Sequence, residues 1–202
     1  MRPAVFAEWS QQFKRVVELA ATGKIGEARH AFCQIDGDAL KYWFHYTAQY
    51  AGSQRTGALA SNGSQTTSPV REKRAARTPS KRTCLELLAR DNWACRYCGS
   101  PLLHGDDFRS LRGKMGETVF PAGRTNLATH GAKFVFLATF DHVLPHSLGG
   151  GTDAGNIVSS CHACNFGKDG FTLDELGLDY PAGDRFAPDQ RWLRAVHALR
   201  TK

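Results

Sequence analysis

Long apolar runs are missing from these 202 residues. None approaches the ~18–20 consecutive apolar positions that a membrane-spanning helix requires. The opening stretch, MRPAVFAEWSQQFKR, lacks the unbroken apolar core and small-residue cleavage site of a secretory leader. A cytoplasmic location is therefore expected, and with it reduced thiols, so the six cysteines are read as metal ligands or core residues rather than disulfides. Acidic side chains are scarce in one place. Residues 52–82 hold seven basic residues and a single acidic one, and so carry +6 of the formal net charge of +7. Large apolar residues are nearly absent there too. Composition allows two readings of this block, an arm for a polyanionic partner or a spacer kept soluble by its charge. The 42% hydrophobic content excludes wholesale disorder.

The fold class expected is α+β, with four parts along the chain. Residues 1–51 are expected to form a helical hairpin or small bundle, because Phe6, Trp9, Phe13, Val16, Val17 and Ala20 recur at three- and four-residue spacing. A second segment carries Ala28, Phe32 and Ile35, with Cys33 expected in the core. A third, capped by Asp38, carries Leu40, Trp43 and Phe44. Residues 52–82 form the basic linker, 83–170 a compact domain, and 171–202 a C-terminal helical extension. Within the domain, TCLELLARDN is expected as a short helix capped by Thr83, with Cys84 packing beneath it. Residues 104–133 look irregular. KFVFLATFDHV is β-prone, NIVSS a second strand, and CHACNFGKDG the start of a helix.

Two pairs, Cys95-x-x-Cys98 and Cys161-x-x-Cys164, carry the strongest signal. Each pair sets two sulfurs on one side of a tight turn, and two pairs complete a tetrahedral Cys₄ zinc site. A closed shell of four thiolates has no open position for catalysis, so this zinc is expected to be structural, stapling the turn near residue 97 to a helix near residue 163. His162, between two ligands, is expected to cap or face solvent. The segment 140–170 also holds Asp141, Asn156 and Asn165, whose oxygens suit a harder ion.

The series ARDNWACRYCG, DHVLPHSLGGGTDAGNIV and CHACNFGK resembles the HNH endonuclease family, with its ββα-metal fold, over about residues 83–170. The resemblance implies that Asp141 and Asn165 ligate a catalytic divalent ion and that His142 is the general base. Asn156 would hold the loop that orients His142, and Lys168 would contact phosphate. Asn165 makes the triplet His-Asn-Asn, a variant of the name-giving pattern. The chemistry fits these residue types: a neutral imidazole can take a proton from water near neutral pH, and consecutive side chains on an extended segment point to opposite sides. A carboxylate and an amide oxygen favour Mg²⁺ or Mn²⁺.

DNA is the expected partner. His146 is a candidate backbone contact, as are Arg71, Lys73, Arg74, Arg77, Lys81 and Arg82 of the arm. Arg109, Arg112, Lys114, Arg124, His130 and Lys133 lie in a segment, 101–133, read either as a DNA-contacting loop or as a surface insertion. Residues 1–51 are a candidate surface for a protein partner or self-association. The activity implied is a metal-dependent DNA endonuclease, with restriction or phage defence as one setting. The alternative is a catalytically inactive zinc-containing nucleic-acid-binding or assembly module.

Overall fold

The structure, a computed structural model, describes residues 5–46, 77–181 and 186–201. Three helices come first: α1 (Val5–Ala21), α2 (Ile25–Phe32) and α3 over 37–46. After residue 77 follow α4 (Lys81–Arg90), α5 (Gly105–Met115) and α6 (Ala132–Phe136). The hairpin of β1 (Ala138–His142) and β2 (Ile157–Cys161) leads directly into α7 (His162–Lys168), and α8 (Gln190–Arg200) lies beyond. Among the described residues, eight helices and one two-stranded antiparallel sheet make an α+β fold. Among the described residues no helix is long and apolar enough to cross a membrane.

The apolar stripe of α1 is buried as its spacing requires, with Phe13, Val16 and Val17 fully covered. What covers it is the rest of the chain. Phe13 stacks on Phe136 of α6 with centroids 4.1 Å apart, and Phe44 of α3 stacks on Phe134 at 4.2 Å. Phe32 of α2 packs against Phe120 at 4.3 Å. Trp192 of α8 is buried beside Phe13, and its indole N–H donates to the Trp93 carbonyl at 3.0 Å. One core thus joins α1–α3, α5, α6 and α8. The buried apolar faces of α1, α2 and α3 are used inside the chain.

Several local expectations are corrected. Residues 132–136 are helical, and the strand starts only at Ala138. In a helix, positions two apart point nearly opposite ways, which sends Phe134 toward α3 and Phe136 toward α1; a strand would have put both on one face. The stretch 104–133 is not irregular throughout, since α5 buries Phe108, Leu111 and Met115. Helix α4 is capped by Ser80, whose Oγ accepts from the Thr83 N–H at 3.1 Å. Helix α3 is entered through Asp36, which accepts from the N–H groups of Asp38 and Ala39. Cys33 is exposed, whereas Cys84 is buried as expected. Residues 174–176 make a single 3₁₀ turn rather than a helix. Residues 47–76, the end of the expected helical segment and most of the 52–82 linker, lie outside the described residues.

Candidate active site

The hairpin register sets Asp141 opposite Val158 and His142 opposite Ile157. Every residue of β2 is buried, and β1 supplies Thr139, Phe140, Asp141 and His142 to the wall of a cleft. This cleft, of about 680 Å³, is lined by Asp141, His142, His146 and Asn165, with Arg77 at its edge. The strand and the helix therefore bring together the three side chains expected to act: the ligand pair Asp141 and Asn165, and the base His142.

Each is held by named contacts. Asp141 is buried, and its Oδ2 accepts from the Tyr97 hydroxyl at 2.6 Å. The Lys168 ammonium lies 3.4 Å from the same oxygen. Burial pushes the Asp141 carboxyl up from its ordinary range, opposed by Lys168 and Tyr97. Burial and the Asp141 charge push the Tyr97 phenol up, so Tyr97 is a fixed donor. The Asn165 Nδ2 donates to Thr139 Oγ1 at 3.1 Å, which leaves Oδ1 as its acceptor atom. His142 Nε2 lies 3.1 Å from Thr152 Oγ1, and its ring meets His146 edge-on at 5.4 Å. Burial first, then the charges of His146, Arg77 and Lys168, hold the His142 pKa below its usual 6.5, against Asp153. The imidazole is thus neutral near pH 7.

Residues 134–180 match the family model described as HNH endonuclease. This segment of the chain is similar to the HNH endonuclease family. No curated protein and no solved structure matches the chain. The HNH match contains Asp141, His142, Asn156, Asn165 and the second cysteine pair, while the first pair precedes it.

Asn156 clasps the loop of the HNH hairpin. Its Oδ1 accepts from the Leu144 N–H at 2.8 Å, and its Nδ2 donates to the Leu144 and Gly151 carbonyls at 3.0 and 2.8 Å. Its carbonyl also accepts from Val143 N–H at 2.8 Å. The loop closes tightly enough that a Cβ on Gly150 would run into the Leu144 carbonyl oxygen and Asn156 Nδ2, so glycine is needed there for room.

Lys168 is not at the surface. It is buried, and its ammonium donates to the His142 carbonyl at 2.7 Å. That position braces the backbone between Asp141 and His142 and corrects the expected phosphate contact: a short helix packed on the hairpin turns this lysine inward. His162 is also largely enclosed rather than solvent-facing, between Phe134 and Phe166, and burial lowers its pKa to about 4. Lys81 pairs with Asp106 of α5 at 2.5 Å and Arg82 with Glu86 of its own helix at 2.9 Å, so each faces a carboxylate. Arg71, Lys73 and Arg74 lie outside the described residues.

The four cysteines converge. The sulfurs of Cys95, Cys98, Cys161 and Cys164 all lie within 4.8 Å of one another, with Cys98 and Cys161 3.9 Å apart. Sulfurs sharing a tetrahedral ion at ~2.3 Å stand about 3.8 Å apart, so the cluster can hold a metal ion, and four sulfurs suit zinc. Hydrogen bonds from Cys161, Cys164 and Cys95 pull the Cys98 thiol well down. The knuckle is tied to the hairpin by Arg96 N–H donating to the Ser159 carbonyl at 2.9 Å.

Four supporting residues escaped the sequence reading. Tyr97 was visible only as the aromatic inside a CxxC, Thr152 as part of a glycine-rich turn, and Thr139 as a strand residue. Asp91, fully buried, accepts from Arg96 at 2.7 Å and from the Ser159 N–H at 2.8 Å, joining the end of α4 to β2. Its only sequence signal was an aspartate after Arg90 at a helix end.

Proposed function

We propose that the chain is a metal-dependent DNA endonuclease that hydrolyses phosphodiester bonds, with His142 as its general base. The observation that carries this is the convergence of Asp141, His142 and Asn165 on one cleft, within a segment matching the HNH endonuclease family. Asp141 and Asn165 would hold a divalent ion, Mg²⁺ or Mn²⁺ by their oxygen donors, which when bound polarises the phosphate and stabilises the leaving oxygen. His142, neutral near pH 7, accepts the proton of the attacking water at Nδ1. For this its Nε2–H donates to Thr152 Oγ1, fixing the tautomer and the ring. Asn156 holds the loop that carries Thr152, and Lys168 holds the His142 carbonyl. Zinc at the four cysteines would keep the knuckle against the hairpin, and so keep Tyr97 on Asp141. Arg77 and His146 are positioned to meet the DNA backbone at the cleft. Restriction or defence against phage is a setting that suits a small nuclease of this kind.

Incubating the purified protein with supercoiled plasmid and millimolar Mg²⁺ tests the reading, with sequencing of the cut ends. Nicked or linear product that disappears in EDTA and in Asp141→Ala is expected. Unchanged cleavage in either case would remove Asp141 from the metal site, and no cleavage with Mg²⁺ or Mn²⁺ would favour a zinc-containing binding module.

A further inference from the structure

The wall of the cleft contains a residue that phosphodiester chemistry does not call for. Phe166 follows Asn165 on α7, lines the cleft, and is 54% exposed. A lone exposed apolar side chain is ordinary on a protein surface, but this one stands beside the reactive groups of a cleft otherwise rich in polar atoms. Its ring is also held from behind. His162 lies parallel to it, 13° between planes and 6.2 Å between centroids, and Phe44 of α3 meets it edge-on at 5.6 Å. Phe44 in turn stacks on Phe134. The outer face of Phe166 is open and its inner face is supported, so little ordering is needed when another ring arrives.

The charges of the cleft point the same way. Among the described residues its lining has one permanent cation, Arg77, against the carboxylates of Asp141 and Asp169. Lys168, the cation closest to the reactive pair, is buried and turned to the His142 carbonyl. Duplex binding rests mainly on cations that neutralise phosphates. Single strands are held largely by aromatic side chains on which bases stack, whatever the sequence. We propose that Phe166 stacks an unpaired nucleobase next to the scissile phosphate, making single-stranded or locally unpaired DNA the preferred substrate of this cleft. The substrate preference rests on the nuclease reading, while the stacking itself can be measured without cleavage.

The test uses the full chain carrying His142→Ala, to prevent turnover, and an oligonucleotide with 2-aminopurine at alternate positions, single-stranded or in duplex. Binding of the single strand should quench 2-aminopurine fluorescence. Phe166→Leu, which keeps an apolar side chain on the helix, should abolish the quenching and weaken single-strand binding roughly 5–150-fold. Phe166→Trp should restore both, and duplex affinity should hardly move. Equal single-strand affinity in Phe166→Leu, or quenching that survives it, overturns the stacking site. Cleavage of both DNA forms by the protein with His142 intact, with no quenching in the His142→Ala background, overturns the proposal and leaves the nuclease standing. Phe166-dependent quenching without any cleavage removes the nuclease and keeps the stacking site.

Discussion

His142 sits between two demands, since a general base must be neutral to accept a proton yet basic enough to take it from water. Its surroundings favour neutrality. Because burial and nearby cations lower its pKa, the active neutral form persists below pH 6.5, and the acidic limb of the pH–rate profile should have its midpoint below that value. A midpoint above 6.5 would assign the proton to another group. His142→Ala should lower turnover about 10²–10⁴-fold while circular dichroism and DNA affinity stay near those of the unaltered protein, since the ring contacts Thr152 and His146 rather than the main core. Retained turnover would direct attention to His146, whose ring lies 5.4 Å away.

At the scale of elements, the hairpin and α7 are short, and the cysteine cluster joins them to the turn at residues 95–98. Structural zinc can supply on the order of 10 kcal/mol of folding free energy, so Cys98→Ser should lose the ion by elemental analysis and melt the hairpin region in hydrogen exchange. Zinc at full occupancy in that variant would show that the four sulfurs do not act together. The elements nearest the site were the most legible in the sequence. The CxxC pairs are set by local spacing that chemistry constrains, whereas Asp141, His142, Asn156 and Asn165 stood out through the resemblance to the HNH endonuclease family. Less legible were elements decided by distant partners. Phe134 and Phe136 lie in a short apolar run that suits strand or helix equally, and only the stacking of Phe44 and Phe13 selects the helix. Helix α5 hid its Phe108, Leu111 and Met115 spacing behind glycine and charge. Lys168 carried no signal that it would point inward, because a lysine is seldom buried unless paired, and its partner, Asp141, lies far back in the chain.

For the molecule as a whole, the shared core makes the N-terminal helices and α8 part of one packed body with the hairpin rather than attachments. Trp192→Ala removes a buried indole and its hydrogen bond to Trp93, and a cost of about 3–5 kcal/mol is expected. Urea denaturation should show that loss in one transition reported alike by α1 and by the hairpin. Two separate transitions would divide the chain into independent units. Stability should also depend on pH through His130, which is wedged between Phe32 and Phe120 with its Nδ1 accepting from the Ala132 N–H at 3.2 Å. Burial lowers its pKa to about 4 in the folded state against 6.5 unfolded. The unfolded chain binds the extra proton between these values, so stability present above pH 6.5 is lost as pH falls toward 4. His130→Asn should flatten the change in urea midpoint between pH 7 and pH 5; an unaltered slope would place the titrating group elsewhere.

Helix α8 lies against α1, joined by Lys14 to Asp189 at 2.7 Å and by Arg191 to Glu18 at 2.5 Å. Contacts this distant in sequence form slowly because a long loop must close before they contribute. During synthesis the apolar stripe of the first helix therefore stays only partly covered, by α2 and α6, until Gln190–Arg200 has left the ribosome. The cleft at β1 depends on Phe136, which α1 covers. A nascent chain thus has the residues of the cleft before it has all the packing behind them, and the order of translation itself delays completion of the fold.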